Sequence, residues 1–258
     1  MKITFLGTGT SFGVPQIGCP CAVCHSDDPR DRRSRSGAVV EGDDGTRILV
    51  DTPPELRLQL LATGISTVNA VLYTHDHADH VHGLDDLRAI SVRSGGALPV
   101  YGPPDSLERM ARRFAYVFDE RIRALPGTSK PEGRMHPIED GETVHIGELD
   151  VTPASVPHGA IRVYAYRIGP LAYVTDAKLL PEPALKLLTG ARVLVINALF
   201  QTPHPTHLSI PEAIETAALV GAERTYLTHL THDNFHAQLT ASLPAGIEPA
   251  YDGLVVHI

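Results

Sequence analysis

Residues 70–80 read Ala70-Val71-Leu72-Tyr73-Thr74-His75-Asp76-His77-Ala78-Asp79-His80, and Val81-His82-Gly83 follows. The apolar run predicts a buried strand, and its end delivers His75, His77, Asp79 and His80, four metal-type ligands in six positions. Residues two apart in extended chain point to one side, so His75 and His77 can share an ion. A turn into the helix-like stretch Gly83 to Ile90 swings Asp79 and His80 toward a second ion. The spacing therefore predicts two metals, and a merely solvated polar loop is a poor account of it.

Working outward, 258 residues with 43% hydrophobic content suffice for a substantial core, in one large domain or two small ones. A formal charge of -8 argues against broad electrostatic binding to nucleic acid or anionic membrane and favours a small-molecule partner. Met1 to Gly9 carries too short an apolar run for a signal peptide, and no later stretch approaches a membrane span, so a cytoplasmic location is expected. Cys19, Cys21 and Cys24 crowd into one short loop, where they cannot close a long disulfide loop; metal binding explains them better. Cys21-Ala22-Val23-Cys24-His25 also matches a haem-attachment pattern, which the missing export signal and the extra Cys19 disfavour.

Short apolar strands are expected at Ile3–Leu6, Ala38–Glu41, Arg47–Asp51, Ala70–Tyr73, Pro99–Tyr101, Leu149–Pro153, Val163–Ile168, Ala172–Thr175, Val193–Asn197, Thr225–Thr228 and Leu254–His257. Helical spacing marks Pro54–Ala62, Ser106–Phe118, Pro181–Leu188 and Ile210–Val220, the last with Ser209, Pro211 and Glu212 as a capped start. Clustered strands with helices between them fit two packed sheets with helices outside better than one doubly wound sheet. No composition shift marks a boundary, so a single domain over 1–258 is expected. Within it lie a Cys-rich loop near 18–25 and a flap near 119–137 whose arginines and lysine could meet an anionic substrate. Gly7-Thr8-Gly9-Thr10-Ser11-Phe12-Gly13 has neither the dinucleotide nor the P-loop spacing and reads as a tight first loop.

If the first cluster binds two ions, later strand ends must add ligands, and His158, Asp176 and His229 each follow an apolar run. The order His-x-His-x-Asp-His, then His, Asp and His, resembles the metallo-β-lactamase superfamily of binuclear hydrolases. The resemblance implies an α/β, four-layer αβ/βα sandwich of two mixed β-sheets with helices outside. It further implies His75, His77 and His158 on one metal, Asp79, His80 and His229 on the other, and Asp176 bridging. The active-site ions would be zinc or manganese, because imidazole and carboxylate accept either.

A narrower likeness rests on Cys19-Pro20-Cys21-Ala22-Val23-Cys24, on Val100 to Asp105, on Leu227-Thr228-His229-Leu230-Thr231-His232, and on Leu243 to Gly246 with Tyr251-Asp252-Gly253. These segments resemble the PhnP-type phosphodiesterases, which act on phosphoribosyl 1,2-cyclic phosphate. That likeness implies a structural zinc on Cys19, Cys21, Cys24 and His232, with His25 the other candidate for the fourth ligand. It also places His207 in the active site, where His207 and the metal-binding Asp79 are the catalytic candidates and His207 would protonate the leaving group. Asp51 is expected behind the ligands, orienting an imidazole. Arg57 or the Arg30–Arg35 run could meet substrate phosphate. The chain departs from the PhnP-type pattern at Asn197-Ala198-Leu199-Phe200, where an acidic residue and a histidine are usual. The expected activity is hydrolysis of a small cyclic phosphodiester. The alternatives are a cyclic nucleotide or RNA-end hydrolase and a noncatalytic metal- or ligand-binding accessory protein. The expected partner is a small phosphorylated substrate, with no membrane and no large nucleic acid; a homodimer is permitted.

Overall fold

The computed structural model describes residues 1–258. In chain order the strands and helices of the first half are β1 (Lys2–Gly7), β2 (Gly37–Glu41), β3 (Arg47–Val50), α1 (Leu56–Thr63), β4 (Ala70–Leu72), α2 (Ala78–Val81), α3 (Arg88–Ser94), β5 (Leu98–Gly102), α4 (Pro104–Arg113), α5 (Ala115–Phe118) and β6 (Gly133–Pro137). The second half holds β7 (Val144–Ile146), β8 (Leu149–His158), β9 (Ile161–Ile168), β10 (Leu171–Val174), α6 (Glu182–Leu188), β11 (Val193–Asn197), α7 (Ile210–Val220), β12 (Arg224–Thr228), α8 (His236–Ser242), β13 (Ile247–Pro249) and β14 (Val255–His257). No helix is long and apolar enough to cross a membrane.

Two seven-stranded sheets form, ordered β14-β1-β2-β3-β4-β5-β6 and β13-β12-β11-β10-β9-β8-β7. Both are mixed, as β3 to β6 and β10 to β13 pair in parallel while the remaining ladders are antiparallel. The side-chain period of two explains why the strands read as unbroken apolar runs. Ile48, Val50, Ala70 and Leu72 face inward against Tyr166, Tyr173, Val193 and Val195 of the other sheet. Their neighbours Leu49 and Val71 pack outward under α1, α3 and α4, and Ala172, Val174, Leu194 and Ile196 pack under α6 and α7. These central strands thus bury both faces, which is the physical content of the four-layer sandwich.

Three short strands escaped the sequence reading: β6, β7 and β13 are only three to five residues long and carry Pro, His or Glu. The helix expected over Ser106–Phe118 breaks at Phe114, whose backbone (φ -121°, ψ 44°) separates α4 from α5. The segment 119–137 also ends in a strand that the sequence did not signal. Its last residues form β6, and Gly133 enters beside Leu98 at the amino ends of two parallel strands, the sheet edge opposite the one that carries His75. Three of its cations meet local acids: Arg121 bonds Asp119, while Lys130 and Arg134 lie 3.8 Å from Glu132 and Glu120 respectively.

Candidate metal centre

The parallel strands deliver their carboxyl ends to one region. Asp51 follows β3, His75 follows β4, Asp176 follows β10 and His229 follows β12, while His158 ends β8. Asp51, Asp176 and His229 are the chain's non-glycine residues with positive φ, at 61°, 55° and 58°. Left-handed backbone at an Asp or His is tolerated but unfavourable, and it turns each side chain out of its strand toward the others. No sequence signal marks these conformations.

The cluster centres on Asp176. Its Oδ2 lies 2.8 Å from His80 Nε2 and 3.6 Å from His75 Nε2, and its Oδ1 lies 3.1 Å from both His207 Nε2 and His229 Nε2. His75, His77 and His158 group together, as do His75, His80 and Asp176, and Asp176, His207 and His229, with ligand atoms within 4.8 Å in each group. Asp79, expected beside His80 and His229, approaches His80 Nε2 at 3.5 Å but joins none of these groups. It is half-buried in the first turn of α2, and as an anion it is repelled by Asp176.

Behind the cluster, hydrogen bonds assign the imidazole protons. Thr74 Oγ1 donates to Asp51 Oδ2 at 2.9 Å, so it must accept from His75 Nδ1 at 3.0 Å. Asp51 Oδ2 also accepts from His80 Nδ1 at 2.7 Å, so one carboxylate orients both imidazoles. Ser36 Oγ donates to the Gly9 carbonyl and so accepts from His229 Nδ1 at 3.1 Å; His158 Nδ1 donates to the Thr206 carbonyl at 3.1 Å. Each Nε2 is thereby left as a lone pair aimed into the cluster. Sequence reasoning reached Asp51 but missed Ser36, Thr74 and Thr206, which are common polar residues far from the motifs. The first loop earns its glycines here: a Cβ on Gly9 would meet the Arg33 carbonyl at 2.7 Å, so only glycine brings Ser36 within reach of this strap.

This donor set fits divalent cations. His75 Nε2 and Asp176 Oδ2 are buried and lack any hydrogen-bond partner, and the His80 lone pair faces the Asp176 carboxylate at 2.8 Å. Two acceptors in contact need a positive charge between them, a metal or a proton. The titration behaviour agrees. Burial pulls His80 down, but Asp176, Asp51 and Asp79 hold it well above its ordinary pKa, while Asp176 stays well below the carboxylate range because His229 and His80 outweigh its burial. Burial pushes His75 well down and His229 down to about 4, so both remain neutral ligands near pH 7.

The loop joining β4 to α2 is anchored from its other side. Alternation turns Asp76 away from His75 and His77, toward α4, where Arg109 Nη2 holds it at 2.8 Å and Arg113 Nη2 at 3.1 Å. Three arginines of the run named as a phosphate contact are otherwise engaged: Arg30 pairs with Asp28, Arg35 with Glu55, and Arg33 is buried, bonding Thr8 and the Ala250 carbonyl, while Arg32 lies exposed. Arg57 lies exposed on α1. His82, left open by the sequence, is exposed and packs edge-on against Phe114.

A second cluster gathers Cys19, Cys21, Cys24 and His232, with His232 Nδ1 at 3.2, 3.4 and 3.7 Å from the three sulfurs. Tetrahedral zinc with thiolate and imidazole bonds would set these separations near about 3.5 Å. The exposed His25 instead turns its ring to the Cys21 carbonyl at 3.0 Å and stays outside the cluster. The bond from the Cys24 N–H helps lower the Cys21 thiol to about 6, and burial pushes Cys24 up to about 11.

A family model described as a beta-lactamase superfamily domain matches residues 46–230. A crystal structure described as a new diphosphatase from the PhnP family superposes with a TM-score of 0.90 at 38% identity, covering 100% of this chain and 97% of that one. An octanoyltransferase of Porphyromonas gingivalis is 38% identical over 256 residues, covering 98% of this chain and 51% of that protein, so the chain spans about half its length. Zinc-bound PqqB from Methylobacterium extorquens shares the fold, with a TM-score of 0.78 at 22% identity and full coverage of both chains (100% and 100%).

Proposed function

The chain belongs to the metallo-β-lactamase superfamily, and from that premise we propose that it is a binuclear metal-dependent phosphodiesterase acting on a small phosphorylated substrate. The candidate substrate is a cyclic diester such as phosphoribosyl 1,2-cyclic phosphate. The relative described as a diphosphatase supports phosphorus chemistry and makes a phosphoanhydride the second bond to test. The octanoyltransferase is a protein about twice this length, of which this chain matches about half. The observation that carries the proposal is Asp176, buried with both oxygens among His75, His80, His207 and His229 in a pocket of opposed acceptors.

Cations held by His75, His77 and His158 and by Asp79, His80 and His229, with Asp176 shared, would supply a nucleophile from water near neutral pH and positive charge for the phosphoryl oxygens. The remaining work falls to the protein. His207 is half-buried beside Asp176, its Nδ1 is 2.8 Å from Thr206 Oγ1, and its Nε2 can hold a proton for the departing alkoxide. His204, with its Nδ1 3.4 Å from His207 Nδ1, flanks it on the same loop. Zinc on Cys19, Cys21, Cys24 and His232 would tie the N-terminal loop to the segment after β12 without entering the chemistry.

The test measures metal content and turnover on one sample against phosphoribosyl cyclic phosphate, cyclic nucleotides, a diphosphate ester and a β-lactam. About three ions per chain are expected, with phosphodiester turnover that a chelator abolishes. Full activity without metal would overturn the reading, and both metals bound with no turnover on any ester would favour a noncatalytic ligand-binding role.

A further inference from the structure

Asp176 leaves β10 in a left-handed conformation, φ 55°, which persists only where neighbours hold it. Those neighbours act through the next residue. Ala177 donates its N–H to Asn197 Oδ1 at 2.9 Å, and its carbonyl accepts from Asn197 Nδ2 at 3.1 Å. The same carbonyl accepts from the Leu208 N–H at 2.9 Å, and Leu208 directly follows His207. A single residue, Ala177, therefore joins the carboxylate at the centre of the cluster to the segment that carries the proposed proton donor.

Asn197 is fully buried at the end of β11, so water cannot replace either bond. Backbone pairing of β10 with β11 runs only to Val174↔Ile196, and the Asn197 side chain continues it where the ladder stops. One N–H and one C=O facing the side chain demand one acceptor and one donor, which only a primary amide of this shape offers at neutral pH. An ionised aspartate at this position would set an acceptor against the Ala177 carbonyl. A second strut runs alongside: Lys178 Nζ meets Glu212 Oε1 at 2.7 Å, and Glu212 closes the capping box with Ser209 that starts α7 just after His207.

We propose that Asn197 is a positioning residue which, through the backbone N–H and C=O of Ala177, sets the placement of His207 against Asp176 and so governs proton delivery to the leaving group. The proposal rests on the phosphodiesterase reading above, with His207 as donor. The amide holds the Asp176 turn and the His207 loop in one register.

The test compares wild type with Asn197→Asp on two phosphodiesters that differ in the leaving group, a nitrophenolate that needs little protonation and an alkoxide that needs it. Expected is a fall of about 10- to 100-fold in kcat on the alkoxide ester against less than about threefold on the nitrophenyl ester, with KM and metal content unchanged. In the metal-free protein, the imidazole nitrogen resonances of His207 should move in Asn197→Asp while those of the remote His145 do not. Equal losses on both esters, or an unmoved His207, would overturn the proposal. Should Asn197→Asp fail to fold, Lys178→Met loosens the second strut from the surface and should give the same split in weaker form; no split there overturns it too. Wild type inactive on both esters would sink the phosphodiesterase reading instead, and the His207 resonances would still decide the coupling.

Discussion

The two ligand clusters of this chain are built in opposite ways. The His/Asp cluster draws on the ends of β3, β4, β8, β10 and β12 from both sheets, is mostly buried, and keeps unpartnered atoms aimed inward. The Cys cluster takes its three sulfurs from one short loop, borrows a single distant residue, His232, and is only half-buried. In the first, the rigid fold imposes geometry on the ligands. In the second, the ligands impose geometry on a loop that has little else to hold it. The first arrangement suits chemistry that needs fixed distances, and the second suits a clasp.

That contrast yields ranked expectations. Asp176→Ala should have the largest effect, since removing the shared carboxylate forfeits several kcal/mol of charge stabilisation, about 10³-fold in turnover. Metal analysis of that variant should find the thiolate-site ion retained, and loss of every ion would erase the distinction between the clusters. For His207→Ala we expect about 10²-fold lower kcat on an alkoxide ester with metal stoichiometry intact; unchanged turnover would remove its acid role.

Asp51→Asn keeps the shape but weakens the acceptor shared by His75 and His80, so competition with a chelator should reveal about tenfold weaker binding at the buried site. Equal weakening at the Cys site would argue that the two are linked. Cys21→Ser should act least on chemistry, with turnover per bound metal pair nearly unchanged. Its Tm should fall by roughly 6–12 °C, as a loss of about 3 kcal/mol predicts for a chain of this size. Selective loss of the buried metals in Cys21→Ser would reverse the assignment of the two clusters.

The architecture was legible where side-chain periodicity is strong. Val193 to Asn197 and Ile210 to Val220 appear as read, because both faces of the strand and one face of the helix are committed to core. The strand that ends the segment 119–137 was not legible because a short edge strand with Gly133 and Pro137 looks, in one dimension, like the loop that precedes it. The choice between His25 and His232 was equally invisible: one is adjacent in sequence, the other adjacent in space.

By itself, then, the sequence determined the local facts: the two-residue spacing that sends His75 and His77 to one side, the crowding of Cys19, Cys21 and Cys24, and strands apolar on both faces. Tertiary structure decided which residues meet. It turned Asp51, Asp176 and His229 left-handed out of their strands, placed Ser36, Thr74 and Thr206 behind the imidazoles, and made Asn197 the partner of Ala177. The physical reason is range. Periodicity and spacing act over a few residues, whereas these contacts depend on the register of two sheets, which only long-range packing fixes.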